Sequence, residues 1–247
     1  IRGKSWIRHR KTEKIKSLRL IRFYARRIWR DASNLAKWLL LAVLTGLAVG
    51  AISSVFARAL KFVTDFRMQN LQVFLLLPIS GLCIVFLYQK FGKDDGGTNQ
   101  VLSTIRSQDD VPLRSAPLIF VSTLLTHLTG GSAGREGAAI QLGGSIGNQL
   151  GTWFRLDEED RHVIVMCGMS AAFSAVFWYA HGCRCIFPME VVSVGVMYYA
   201  ALLPCVIASL VAARFAVSFD IHPESFHVSG IPELSVASGL KMLLVAV

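Results

Sequence analysis

Charge is scarce in this chain. Only 17% of the 247 residues are charged against 53% hydrophobic, and acids are the scarcer sign, with 16 Asp and Glu against 26 Lys and Arg. So little charge cannot cover a soluble fold of this size, and a mean hydropathy of +0.49 reads as a polytopic membrane protein. The formal net charge of +10 would suggest a nucleic-acid partner if it were spread over the chain, but 13 of the 26 cations fall within residues 1–37. The basicity belongs to a tail, and no nucleic-acid partner is expected. Cysteines are few and odd in number. Cys83, Cys167, Cys183, Cys185 and Cys205 lie mostly in apolar sequence, which argues against a disulfide framework and for small buried packing residues. A phosphate-binding lysine is missing too: the glycine-dense stretch at 130–151 has no Lys-Ser/Thr after its glycines and no βαβ frame around it, which argues against a nucleotide-binding enzyme. No cofactor is expected.

What is present is apolar length. Segments at about 37–60, 71–90, 113–129, 160–178 and 196–217 are candidates for crossing a hydrocarbon core of roughly 30 Å, which takes ~20 helical residues. Shorter or glycine-rich pieces at about 98–106, 135–155 and 183–195 fit discontinuous or tilted helices. Broken helices are tolerated in a membrane only where protein or a water-filled cavity satisfies their ends, and transporters place ion sites at such ends. Phe91–Gly97 is a polar, turn-rich break, after which Thr98 or Asn99 can cap a helix through Val101, Leu102 and Ile105. Residues 156–161, Leu-Asp-Glu-Glu-Asp-Arg, mark a second boundary, with acids where a helix's first turn favours negative charge. A polar loop follows at 218–235, and a new apolar segment starts near Val236.

The basic tail covers residues 1–36 and the transmembrane region 37–247 in this division. Cations beside a first membrane segment are retained inside the cell, so Arg2, Lys4, Arg8, Arg10, Lys11 and their neighbours through Lys37 predict a cytoplasmic N-terminus. Contact with anionic lipid headgroups follows as a secondary expectation. Ile15, Leu18, Ile21, Ala25 and Ile28 recur at helical spacing between the cations, which fits an amphipathic helix on the membrane surface; a solvated retention signal fits equally. A secretory signal peptide does not fit, because the basic region is too long and no small-residue cleavage site closes the apolar run.

The chemistry-bearing passage is Gly130-Gly-Ser-Ala-Gly-Arg-Glu-Gly-Ala-Ala139, in which Glu136 is the only carboxylate of an otherwise apolar region. An ionisable group in membrane-type sequence is costly, which makes it a functional candidate. The surrounding glycines leave backbone N–H groups unshielded where a helix can begin, and a helix N-terminus binds anions. A halide carries no donors of its own, so a desolvated path needs N–H and O–H groups aimed inward; helix N-termini supply them without a full cation that would trap the ion. A carboxylate beside such a site competes with the anion for the same donors and, by taking up a proton, couples proton and anion movement. Other readings stand beside this one. Gly130/Gly134 and Gly143/Gly147/Gly151 have the spacing of close helix packing in membranes, the latter set above all. Arg135 is either part of the site or a structural partner of a carboxylate or loop carbonyl, and Thr98 is either a ligand or only an N-cap.

The run Thr126-His-Leu-Thr-Gly-Gly-Ser-Ala-Gly-Arg-Glu-Gly-Ala-Ala-Ile-Gln-Leu-Gly-Gly-Ser145 resembles the signature of the CLC chloride channels and transporters. His127-Leu128 before the paired glycines and Gln141-Leu-Gly-Gly-Ser145 after the glutamate resemble the bacterial branch that includes fluoride/proton antiporters. The resemblance extends in segment order over roughly residues 37–247. It implies an all-α polytopic membrane protein, the first half of an inverted-repeat fold with broken helices, and a homodimer with one pathway per subunit in a bacterial inner or plasma membrane. It implies Glu136 as the gating glutamate and Gly134, Arg135, Gly137 and Ala138 as the loop whose backbone amides hold the anion. Gly97-Thr98-Asn99-Gln100-Val101 falls where the family has Gly-Ser-Gly-Ile-Pro, so Thr98 takes the place of an anion-contacting serine. Chloride is the ion implied by the family, with fluoride and coupled protons as the branch alternative.

Departures from the family pattern bear on this reading. Many proton-coupled members carry two adjacent glutamates where Glu190 is here followed by Val191. The family's second half, with its distal anion loop and tyrosine, is beyond Val247, and the chain opens on Ile1, so both ends read as truncated; a non-transporting membrane remnant is the alternative of another class. Phe177-Trp-Tyr-Ala-His-Gly-Cys-Arg-Cys-Ile186 departs from the family's Phe-Gly-Thr-Pro-Leu-Ala-small-Ala. Read one base later, degenerate codons for Trp178–Cys185 permit Gly-Thr-Pro-Met-Ala-Ala-Ala, which makes a short frame-shifted stretch the hypothesis here and removes the metal-ligand spacing of His181, Cys183 and Cys185. No metal site is expected. Clean in-frame reads on resequencing the coding DNA would instead leave genuine divergence.

Overall fold

From Lys4 to Thr45 the chain contains neither glycine nor proline, so nothing there interrupts a helix. In the computed structural model α1 runs from Arg2 to Gln69, beyond both ends of the apolar run at 37–60. Described are the backbone of residues 2–92, 96, 97, 99, 101, 112–177, 201–219 and 241, with side chains from residue 26. Thr98, Glu190 and the passage Trp178–Cys185 with its His181, Cys183 and Cys185 lie outside the described residues, as do most of 98–106 and all of 183–195.

After α1 come a 3₁₀ segment, Leu71–Leu76, and α2, Leu77–Phe91. Pro78 in the first turn of α2 lacks the N–H that a helix start leaves unpaired anyway. α3 spans Ser115–Leu128, α4 Arg135–Trp153, α5 Glu158–Phe177 and α6 Leu202–Ser218. The expected apolar segments at 71–90, 113–129, 160–178 and 196–217 thus all contain helices. Among the described residues there is no strand, and the all-α class expected for the first half of a CLC-type fold is the one observed. α1 and the Leu71–Phe91 segment are long and apolar enough to cross a membrane.

The core is an antiparallel hairpin of α4 and α5, with α6 and α1 laid against α5. Its closeness comes from small residues. A Cβ on Gly143 would run into the carbonyl of Gly168, and one on Gly168 into the carbonyl of Gly143. A Cβ on Gly147 would stand 2.7 Å from the Ile164 carbonyl, so the Gly143/Gly147/Gly151 row is a packing row, as its spacing predicts. α1 meets α6 in the same manner: at Gly46 a Cβ would lie 2.7 Å from the Ala208 carbonyl, and at Gly50 2.9 Å from Ala212 Cα. Ile164, Val165, Met169, Ala171, Ala172 and Ala208 are fully buried between these helices, where dense dispersion contacts rather than exclusion of water hold membrane helices together.

Between Lys37 and Arg58 of α1 lies Trp38–Ala57 without a charge, about 20 residues or roughly 30 Å of helix, the thickness of a hydrocarbon core. Cations on α1 then meet the ends of other helices. Lys37 pairs with Asp160 in the first turn of α5. Arg58 donates to the carbonyl of Phe219 just past α6 and sits 5.7 Å from its ring centroid. Arg67 donates to the His127 carbonyl in the last turn of α3, at 3.2 Å. Positive charge at a helix C-terminus opposes the partial negative charge there, so α1 ties the two C-termini to its C-terminal part and the α5 N-terminus to its middle, at the two sides of its uncharged stretch.

Of the cysteines described, Cys167 and Cys205 are buried with their sulfurs 3.8 Å apart across α5 and α6, in line with a packing role. Cys83 corrects that expectation, for it is exposed. It lies on α2, whose apolar side chains Ile79, Leu82, Val85 and Phe86 are themselves exposed, so an apolar stretch here does not mean burial inside the protein.

Candidate functional site

α3 ends in a turn that glycine makes. Gly130 has φ +81°, its N–H bonds to the His127 carbonyl at 3.3 Å, and the Gly131 N–H bonds to the Thr126 carbonyl at 2.8 Å. These two bonds form a Schellman motif, which turns the chain by placing glycine in the left-handed region. Ser132, Ala133 and Gly134 then run along the surface. At Gly134 the backbone is extended, φ −70° and ψ 138°, and α4 begins with no side chain capping it. The first N–H groups of α4 therefore have no capping hydroxyl or carboxylate from the N-cap residue, and they carry the positive end of the helix dipole.

Gly134, Arg135, Glu136, Gly137 and Ala138 are together in this helix start. Glu136 is in the first turn of α4 and its Oε2 reaches back to 3.5 Å from where a Gly134 Cβ would stand. The carboxylate thus curls over the helix start. Glu136 and Gly134 are exposed among the described residues, Arg135 and Gly137 half-buried and Ala138 buried. Among the described residues Glu136 is thus exposed, unlike the buried position that a lone carboxylate in apolar sequence suggests. Arg135 stacks its guanidinium 6.0 Å from the ring centroid of Phe177 at the end of α5, a cation–π contact. That aromatic contact is one the sequence did not suggest.

Gly97 has φ +66°, a conformation that favours glycine. Beyond Thr98, Val101 is fully buried, and a Cβ on Gly144 would strike its side chain. Val101, which is helical, therefore rests on α4 about two turns below Glu136.

Sequence reasoning missed the residues that hold the turn before the site. Ser80 Oγ of α2 lies 2.8 Å from Thr129 Oγ1, both buried. Phe74 of the 3₁₀ segment fills the space beside Gly130, so that a Cβ there would come within 2.8 Å of its ring. The signal for Ser80 was weak, a single hydroxyl inside an apolar run.

Comparison with known proteins places this geometry in a family. Residues 80–247 match the model of the voltage gated chloride channel family. A chloride/fluoride channel protein of Pseudomonas syringae pv. tomato (strain ATCC BAA-871 / DC3000) is 42% identical over 189 residues, covering 76% of this chain and 42% of that protein. An H(+)/Cl(-) exchange transporter ClcA of Salmonella arizonae (strain ATCC BAA-731 / CDC346-86 / RSK2980) is 29% identical over 181 residues, 67% of this chain and 38% of that protein. The crystal structure of a CLC-type fluoride/proton antiporter superposes with a TM-score of 0.75 at 36% identity, over 85% of this chain and 54% of that one. A slow cyanobacterial Cl-/H+ antiporter shares the fold, with a TM-score of 0.64 at 21% identity over 84% and 52% of the two chains. The chain spans about half the length, or less, of these relatives. The glycine-led helix start, its carboxylate and the glycine turn before it all lie within the matched region, and this chain belongs to the voltage gated chloride channel family.

Proposed function

We propose that this chain supplies one wall of a transmembrane halide path of the CLC type, with Glu136 as its gate. The observation that carries the reading is the start of α4: an extended glycine at the N-cap, which offers no side chain to the first turn, and a carboxylate curled back over it. A carboxylate in that place occupies the donors an anion needs, and it frees them when it turns away or takes a proton. Gly134, Arg135, Gly137 and Ala138 contribute the backbone of the site, and Gly97 and Thr98 the facing loop.

Chloride is the first substrate to test, as in the family's name. Fluoride, with coupled protons, is the second, because the relatives named for fluoride share 42% and 36% identity with this chain against 29% and 21% for those named for chloride and protons alone. The reading includes residues 1–36 as a basic cytoplasmic tail touching anionic lipid, residues 37–247 as the membrane region, and assembly as a homodimer. The test is flux from proteoliposomes holding the full-length gene product, with chloride and fluoride measured separately, beside its Glu136→Ala variant. We expect the variant to change the rate or abolish proton coupling. Identical flux and coupling in the two proteins would overturn the reading.

A further inference from the structure

The turn that leads to Glu136 is clamped from three sides by elements that contribute nothing to the site itself. Arg67 of α1 bonds the His127 carbonyl at 3.2 Å, Phe74 walls off Gly130, and Ser80 of α2 meets Thr129, the C-cap residue of α3, at 2.8 Å. From Thr129 to the first residue of α4 the path is short, Gly130 through Gly134, and its last three residues are exposed among the described residues.

The Ser80–Thr129 contact has a property that its geometry dictates. Ser80 Oγ also lies 2.9 Å from the Leu77 carbonyl, and Thr129 Oγ1 lies 3.0 Å from the Leu125 carbonyl. Each hydroxyl has a single hydrogen to donate, so two hydrogens serve three contacts. When Ser80 donates to Thr129, Thr129 donates back into α3. When Thr129 donates to Ser80, Ser80 donates back into α2. A third arrangement, both hydrogens turned into their own helices, leaves two oxygens facing each other and parts the clamp.

Resting on the reading of Glu136 as gate, we propose that Ser80 and Thr129 are positioning residues, coupling the α2 corner to the placement of the Glu136 helix start. Removing either hydroxyl leaves the other its own helix carbonyl, so no buried donor is orphaned and the cost to folding stays small. Function is then the sensitive readout.

The test uses the full-length gene product in proteoliposomes, with Ser80→Ala, Thr129→Val and Thr129→Ser each made in the native and the Glu136→Gln backgrounds. We expect Ser80→Ala and Thr129→Val to change halide turnover about threefold or more in the native background, as residues in one coupled network do, and less than about 1.5-fold with Glu136→Gln. Thr129→Ser keeps the hydroxyl and should restore native turnover. Equal fold-changes in both backgrounds, or a Thr129→Ser as altered as Thr129→Val, would overturn the proposal. Should Thr129→Val fail to fold, Ser80→Ala alone in the two backgrounds decides it. If Glu136→Gln by itself changes neither turnover nor proton coupling, the gate reading fails first and this inference goes with it.

Discussion

The two ends of α4 were made differently. At its C-terminus the Arg155 N–H bonds the Thr152 carbonyl at 3.1 Å and the Leu156 N–H bonds the Gly151 carbonyl at 3.0 Å, closing the helix with a Schellman motif. Arg161 reaches from α5 to Asn148 Oδ1 at 2.8 Å and Thr152 Oγ1 at 3.0 Å. At the N-terminus the N-cap is a glycine without a side chain to offer, and the nearby carboxylate is exposed. One end is satisfied from within and can only hold the fold together. The other begins at an N-cap that offers no side-chain acceptor, the kind of helix end at which an anion can bind.

The largest expected effect comes from breaking the hairpin that both ends depend on. Gly143→Leu forces a side chain into the Gly168 carbonyl, and overpacking at a backbone contact should cost about 3 kcal/mol or more; folded protein recovered after detergent extraction should fall to background. Normal yield with native thermal stability would mean the helices can separate without loss. Next is the satisfied end. Arg161→Ala removes two hydrogen bonds and leaves the buried Asn148 oxygen short of this donor, for a loss of about 1–3 kcal/mol. A thermal melt should show the loss while proton-to-halide stoichiometry stays native; altered stoichiometry would show that the two ends are not separate.

Gly134→Asp would make the open end resemble the closed one. An aspartate cap should stabilise the helix by a few tenths of a kcal/mol relative to glycine while placing a fixed negative charge at the anion's donors. Raised melting temperature with reduced halide flux is the expected pair of results, and unreduced flux would argue against an anion at this helix start. The smallest effect sharpens the comparison without disturbing it. Arg155 has φ 50°, a left-handed conformation that is strained for a side chain, and Arg155→Gly should leave stability unchanged or raise it by about 1 kcal/mol, with flux untouched.

Some of this was legible in advance. The acids at 157–160 signal a helix start, and the Asp157 carboxylate does accept the Asp160 N–H at 2.9 Å, a cap formed within four residues of chain. The glycine row at 143, 147 and 151 announces its packing by spacing alone. The length of α1 was underestimated because hydropathy marks where a helix is apolar, whereas only breakers end it, and none lies between Ala51 and Gln69. Ser80 and Arg67 could not be read as neighbours of the site, since their partners are Thr129 and the His127 carbonyl, far along the chain and joined by no pattern of period.

By itself the sequence determined an apolar helical chain, a glycine turn before a carboxylate, and an acidic cap after it, because spacing, turn chemistry and capping all act over a few residues. Only the tertiary structure decided that α1 lends its cations to the ends of three other helices, that Arg135 leans on Phe177, and that α2 grips the turn ahead of Glu136. Those contacts join segments whose distance in the chain carries no periodic signal, and they exist only once the helices are packed.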